Sequence, residues 1–112
     1  MTGPSILDVP EWSRFEIHVD GRLAGFASYR LAPGEITFTH TEIDAAFAGH
    51  GLGGVLVRSA LDAASRRRLA VVPACPFVRS WIAKHPDHVD RVPADRREHF
   101  GLVLDGPAGP DA

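Results

Sequence analysis

Four glycines, Gly49, Gly51, Gly53 and Gly54, fall within six residues and divide the chain into halves with different hydrophobic periods. Ahead of them, apolar residues recur at every second position. Phe15, Ile17 and Val19 alternate with Glu16, His18 and Asp20, the pattern of a strand with one buried face. Asp20-Gly21 predicts a tight hairpin turn with positive φ, and Leu23 to Leu31, carrying Phe26 and Tyr29, reads as the returning strand. Pro33-Gly34 marks a second turn. Glu35 to Ile43 then sets Ile36, Phe38 and His40 on one face and Thr37, Thr39 and Thr41 on the other. The first 43 residues therefore predict an antiparallel meander.

Behind the glycines the period lengthens. Val55, Leu56, Ala60, Ala63 and Ala64 recur at three- and four-residue spacing, which predicts an amphipathic helix from Leu52 to about Arg67. Arg66, Arg67 and Arg68 suit the negative end of that helix and read as a solvated terminus, with contact to an outer phosphate as the other role open to them. Leu69 to Val72 reads as a short buried strand reached by a parallel crossover. Pro76 suits the first turn of a second helix, with Phe77, Trp81 and Ile82 on its apolar side and Pro86 ending it after His85. Asp95 to His99 carries a weaker helical signal, and Gly101 to Ala112, with three glycines and two prolines, predicts a mobile tail. The expected fold class is α/β (α+β), with residues 1–13 as an N-terminal extension, 14–92 as the domain and 93–112 as a C-terminal extension.

A chain of 112 residues with 45% apolar and 23% charged residues is sized for one globular domain and excludes wholesale disorder. A formal charge of -2 gives no general drive toward nucleic acid, although 11 of the 12 basic residues are arginine. The longest apolar run, Leu69 to Val78, holds two prolines and is far short of the roughly 20 residues that cross a bilayer. With no signal-like N-terminus and a lone Cys75, the expectation is a cytoplasmic protein without a disulfide or a bound metal. His85 and His88 are three apart, but Pro86 interrupts the helix between them and no carboxylate spacing completes a metal set.

The segment Ala48-Gly49-His50-Gly51-Leu52-Gly53-Gly54 ends a loop and opens a helix, so several free amides face outward at a positive dipole end. That arrangement binds anions, and glycines let the main chain approach them. A loop that merely needs positive φ has the same composition. Gly49, Gly51 and Gly54 formally fit G-x-G-x-x-G, yet Asp44 to Ala48 separate them from the preceding strand. Pro73-Ala74-Cys75 stands where a dinucleotide fold places its acidic ribose ligand. The Gly-Lys-Ser/Thr of a nucleotide-hydrolysing P-loop is absent.

The loop instead resembles that of the GCN5-related N-acetyltransferases, whose pyrophosphate loop has the form Arg/Gln-x-x-Gly-x-Gly/Ala at the start of a helix; Gly51 and Gly53 match its glycines. More narrowly, the chain is similar to a minimal branch of about a hundred residues. There a His-Thr pair ends the strand before the loop and a Pro-x-Cys-x-Phe/Tyr-Val segment follows the next strand. His40-Thr41, Phe47-Ala-Gly-His-Gly-Leu-Gly, Val72-Pro-Ala-Cys-Pro-Phe-Val and Lys84-His-Pro stand in that order, between Arg14 and Val92. Ala48 departs from the pattern, since the family carries Arg or Gln there; backbone amides, His50 or another basic residue are left to compensate. The resemblance implies acetyl-CoA as cosubstrate, with no metal. It implies Glu42, Ile43, Gly49, His50, Gly51, Leu52, Gly53 and Gly54 around the cofactor and Phe77 beside its pantetheine channel. It also implies a fourth strand splayed from the third, so that pantetheine fills the gap.

Acetyl transfer to an amine needs a base for the amine and a proton for the departing thiolate. His40, continuing the Ile36/Phe38 face, suits the first task; a histidine that caps the sheet through local hydrogen bonds fits the same position. Cys75, at a helix start expected to be open, suits the second as general acid or as acyl carrier, and a small buried hydrophobe fits it equally. The resemblance implies that this His and Cys are the catalytic pair. Larger family members often use a tyrosine on the later helix as acid, whereas the one tyrosine here is Tyr29 on an early strand. The expected function is N-acetylation of a small-molecule amine or a protein lysine by a monomer or homodimer, with no nucleic-acid or membrane partner. The alternative is a non-catalytic CoA-binding or protein-interaction module.

Overall fold

The computed structural model describes residues 3–102. A five-stranded sheet runs in the order β1 (Ser5–Val9), β2 (Arg14–Val19), β3 (Arg22–Ala32), β4 (Glu35–Ile43) and β5 (Ala70–Pro73). The first four strands pair antiparallel and β5 joins β4 in parallel. Between them lies α1 (Leu52–Arg66), followed after β5 by α2 (Pro76–Lys84) and the short α3 (Ala94–Arg97). The meander, the crossover and both main helices stand where the hydrophobic periods predict them. No helix among the described residues is long and apolar enough to cross a membrane.

Local chemistry explains the turns. Asp20 and Gly21 both adopt positive φ, 51° and 78°, the twist that lets β2 return directly as β3. The segment before Arg14 holds an edge strand that the alternation rule missed. In Ser5-Ile-Leu-Asp-Val only Ile6 and Val9 are partly covered, so the apolar period is broken and cross-strand bonding to β2 makes the strand. Tyr29 fastens it to the sheet by donating to Asp8 Oδ1 at 2.6 Å, and burial with this carboxylate neighbour pushes the phenol pKa up.

Phe15, Ile17, Ala27, Ile36 and Phe38 turn toward the helices, where Leu56, Val57, Ala60 and Leu61 of α1 and Val78 and Ile82 of α2 complete the core. The C-terminal stretch takes part as well. Leu102 is 1% exposed and belongs to this core, so the predicted mobile tail does not begin at Gly101. The rest of that predicted tail, 103–112, lies outside the described residues. His88 is buried against Trp81 and, above all through burial, keeps a pKa below the ordinary imidazole range; its Nδ1 accepts from Arg91 Nε at 3.0 Å.

The opposite face of the sheet is a polar and aromatic mosaic. Glu16 accepts from His18 Nε2 at 2.9 Å and from Arg14 Nε at 2.8 Å, while the Arg14 guanidinium lies 4.8 Å from the Trp12 ring and 4.6 Å from Phe26. The His18 bond leads in lowering the Glu16 pKa, burial opposes it, and Arg14 adds to the lowering, so the carboxyl lies below its ordinary range. A depressed carboxyl pKa stabilises the fold above the unfolded-state value and loses that contribution as pH falls through the folded-state value. We therefore expect the melting temperature to drop as pH is lowered from about 5 to about 3, and Glu16→Gln to flatten that slope, as followed by circular dichroism. An unchanged slope in the variant would remove Glu16 from the acid response.

Candidate functional site

The candidate site lies where β5 ends beside β4 and the chain turns into α2. Their pairing runs from Glu35–Ala70 to Phe38–Pro73, after which the Cys75 amide donates to Phe38 O at 2.7 Å. Beyond that bond β4 continues through Thr39 to Ile43 with no β5 partner, while β5 turns into α2. β5 is thus paired to β4 over its whole length, and the gap expected from a splayed strand opens only past Pro73, where the chain turns into α2.

A bulge at this point re-aims the side chains. His40 pairs with Ser28, but Phe38 pairs with Tyr29, so β4 spends one residue more than β3 and Thr39 is the extra one. The alternation therefore slips. His40, expected on the Ile36/Phe38 face, stands on the other face, 5.9 Å from the Phe26 ring, with its side chain 60% exposed. Thr41 takes the helix-facing position, where its Oγ1 lies 3.3 Å from Cys75 Sγ. His40 and Cys75 thus stand on opposite sides of the parting strands. Thr41 had no marker in the sequence beyond its place beside His40.

Cys75 is 2% exposed, which corrects the expectation of an open helix start. Its main chain caps α2 with extended φ/ψ, Pro76 takes the first helical position, and the thiol is turned under the helix against Thr41. His40 Nε2 sits 3.2 Å from Glu42 Oε1, both side chains being exposed. The Ile43 side chain packs onto the core.

The glycine segment divides its work in two. Gly49 and Gly51 adopt φ of 84° and 71°, and Gly51 is the N-cap of α1 with no side-chain cap. Among the described residues, no hydrogen-bond acceptor takes the amides of Gly49, His50, Gly51, Leu52, Gly53 or Gly54. Gly53 instead admits α2: a methyl group there would lie 2.5 Å from Phe77 Cζ, whereas one at 54 would make ordinary contact with Trp81 Nε1 at 3.4 Å. Leu52 buries its side chain and offers only its amide. Phe77, 43% exposed, therefore stands over the start of α1, between the glycine loop and the strand gap. Ala48 and His50 are exposed at the loop.

The run Arg66 to Arg68 lies at the far end of α1, about 21 Å from the loop at 1.5 Å rise per residue. Arg67 faces Asp8 at 3.7 Å, so the run is a helix terminus and not a phosphate contact at the loop. Six amides without an acceptor among the described residues stand at the start of α1, an arrangement that suits an anion.

Residues 14–92 match the family model described as GCN5-related N-acetyl-transferase. No curated protein is a significant match to the chain. Among solved structures, the chain is similar to the crystal structure of a ribosomal-protein-alanine N-acetyltransferase from Brucella melitensis biovar Abortus 2308. Identity is 22% and the TM-score 0.49, over 88% of this chain and 63% of that one. The strands β2 to β5 and the glycine-opened helix fall inside the segment that the family model covers, and the chain belongs to the GCN5-related N-acetyltransferase family.

Proposed function

We propose that this chain transfers an acetyl group from acetyl-CoA to a primary amine, with His40 as general base and Cys75 as proton donor. The observation that carries this reading is the set of amides from Gly49 to Gly54 at the start of α1 that have no acceptor among the described residues. Those amides and the helix dipole suit a pyrophosphate. Around Gly49 and Gly51 the space where a Cβ would stand is open for 4 Å, and Phe77 lies against Gly53 at the start of the helix. When bound, acetyl-CoA supplies an acetyl group activated as a thioester.

The chain's own residues supply the remainder. Glu42 receives the Nε2 hydrogen of His40 and fixes the ring, leaving the Nδ1 lone pair for a proton of the amine. On the other side of the gap the Cys75 thiol is a proton source for a leaving thiolate, oriented by the Thr41 hydroxyl. Placement on opposite sides lets an amine approach from the His40 face while Cys75 stays with the helices. The acceptor class, a small amine or a protein lysine, is set on the His40 face.

Calorimetric titration with CoA tests the cradle. Gly51→Val forces a β-branched residue into the left-handed region at a cost of about 1–2 kcal/mol, and CoA affinity should fall about tenfold. No heat of binding with wild-type protein would overturn the reading. Release of free CoA in the presence of an amine panel separates an enzyme from a module that only binds.

A further inference from the structure

We propose that Arg79 is a positioning residue that sets the turn by which the chain leaves β4 at the end of β5, and that Phe100 holds Arg79 in that role. The turn from β5 to α2 consists of Ala74 and Cys75, and Arg79 serves the carbonyls of three successive residues there. Its amide donates to Cys75 O at 3.0 Å, its Nε to Pro73 O at 3.4 Å and its Nη2 to Ala74 O at 3.0 Å. On the opposite side, among the described residues, the same turn is hydrogen-bonded to β4 through the Cys75 amide on Phe38 O and the Cys75–Thr41 contact. A planar guanidinium presents donors at fixed angles and spans two carbonyls, which a lysine ammonium on a flexible stem does not reproduce.

Phe100 comes from the C-terminal stretch, beyond the segment that the family model covers. Its ring lies 5.6 Å from the Arg79 guanidinium. The approach is fixed by the end of α3: Leu102 N donates to Arg97 O at 2.7 Å and Gly101 N to Glu98 O at 3.0 Å. Gly101 has φ of 70°, completing a Schellman closure. Leu102, 1% exposed, anchors that closure in the core and leaves Phe100 against Arg79. The C-terminal residues are therefore a buttress for the site.

The consequence for acetyl transfer rests on the proposed function, whereas the geometry is read independently through the thiol. With Arg79→Gln and Arg79→Lys, the turn loosens and the buried Cys75 should react with iodoacetamide about tenfold faster. Phe100→Leu, which keeps an apolar side chain, should raise the rate about threefold. Arg91→Gln, which breaks the remote Arg91–Asp62 and Arg91–His88 contacts, serves as a control for general destabilisation and should leave the rate within about twofold. Acetylation by the Arg79 variants should lose kcat while the CoA dissociation constant, measured by calorimetry, stays within about twofold. Unchanged thiol rates in both Arg79 variants, or an equal rise in the Arg91 control, would overturn the proposal. A raised thiol rate in a protein that acetylates no amine would uphold the positioning role and sink the catalytic reading instead.

Discussion

Alanine in place of His40 is expected to lower kcat for amine acetylation by about a hundredfold, the usual contribution of a positioned general base. The reason is that the other proton acceptors described on that face are engaged, His18 Nε2 among them with Glu16 at 2.9 Å. Glu42 is the nearest carboxylate, and it faces His40 at 3.2 Å as the acceptor of Nε2–H. Glu16 is held by Arg14 and His18, with its pKa below the ordinary range. CoA should bind the variant within about twofold of wild type, because the imidazole stands beside Phe26 on the sheet face away from the helices. Glu42→Gln keeps an acceptor oxygen but removes its charge, and a smaller loss of about tenfold is expected. Steady-state kinetics with saturating amine, paired with calorimetry, read both quantities. Wild-type turnover in His40→Ala would assign the residue to the sheet-capping role that the sequence left open.

The largest effect on stability is expected from Gly25→Ala. In β3, Gly25 pairs with Ile17 on one side and Ile43 on the other. A methyl group there would lie 2.5 Å from both Glu42 O and Ile43 Cδ1, and the first of these is main chain that cannot rotate away. Overpacking of this kind costs about 3 kcal/mol. For a domain of this size that corresponds to a fall in melting temperature of about 12 °C or more. The damage falls on the end of β4 that carries Glu42, so His40 should lose its partner in the same variant. Ala24, also buried and next to Gly25, offers a comparison: Ala24→Gly creates a small void and should cost only about 1 kcal/mol. Equal melting temperatures for wild type and Gly25→Ala would show that β3 and β4 yield at this point.

The hydrophobic periods determined the architecture, because alternation and helical spacing are local properties that burial on one face enforces along each element. They place β2, β3, β4, α1, β5 and α2 in the order observed, and Asp20-Gly21 and the glycine loop read correctly for the same local reason, a need for positive φ. The edge strand β1 escaped because cross-strand hydrogen bonds, not an apolar face, hold it in the sheet.

At the site, local reading chose His40 and Cys75 but not their surroundings. Thr39 becomes the extra residue of a bulge only when β4 is paired with β3, and that single slip moves His40 to the far face and brings Thr41 against Cys75. The burial of Cys75 depends on α2 folding over it, and the hold of Arg79 on the turn depends on contacts from Pro73 to Phe100. Sequence fixes which chemistry is available along each strand and loop. Tertiary structure decides which groups meet, because register, strand divergence and helix docking arise from pairings between residues far apart in the chain.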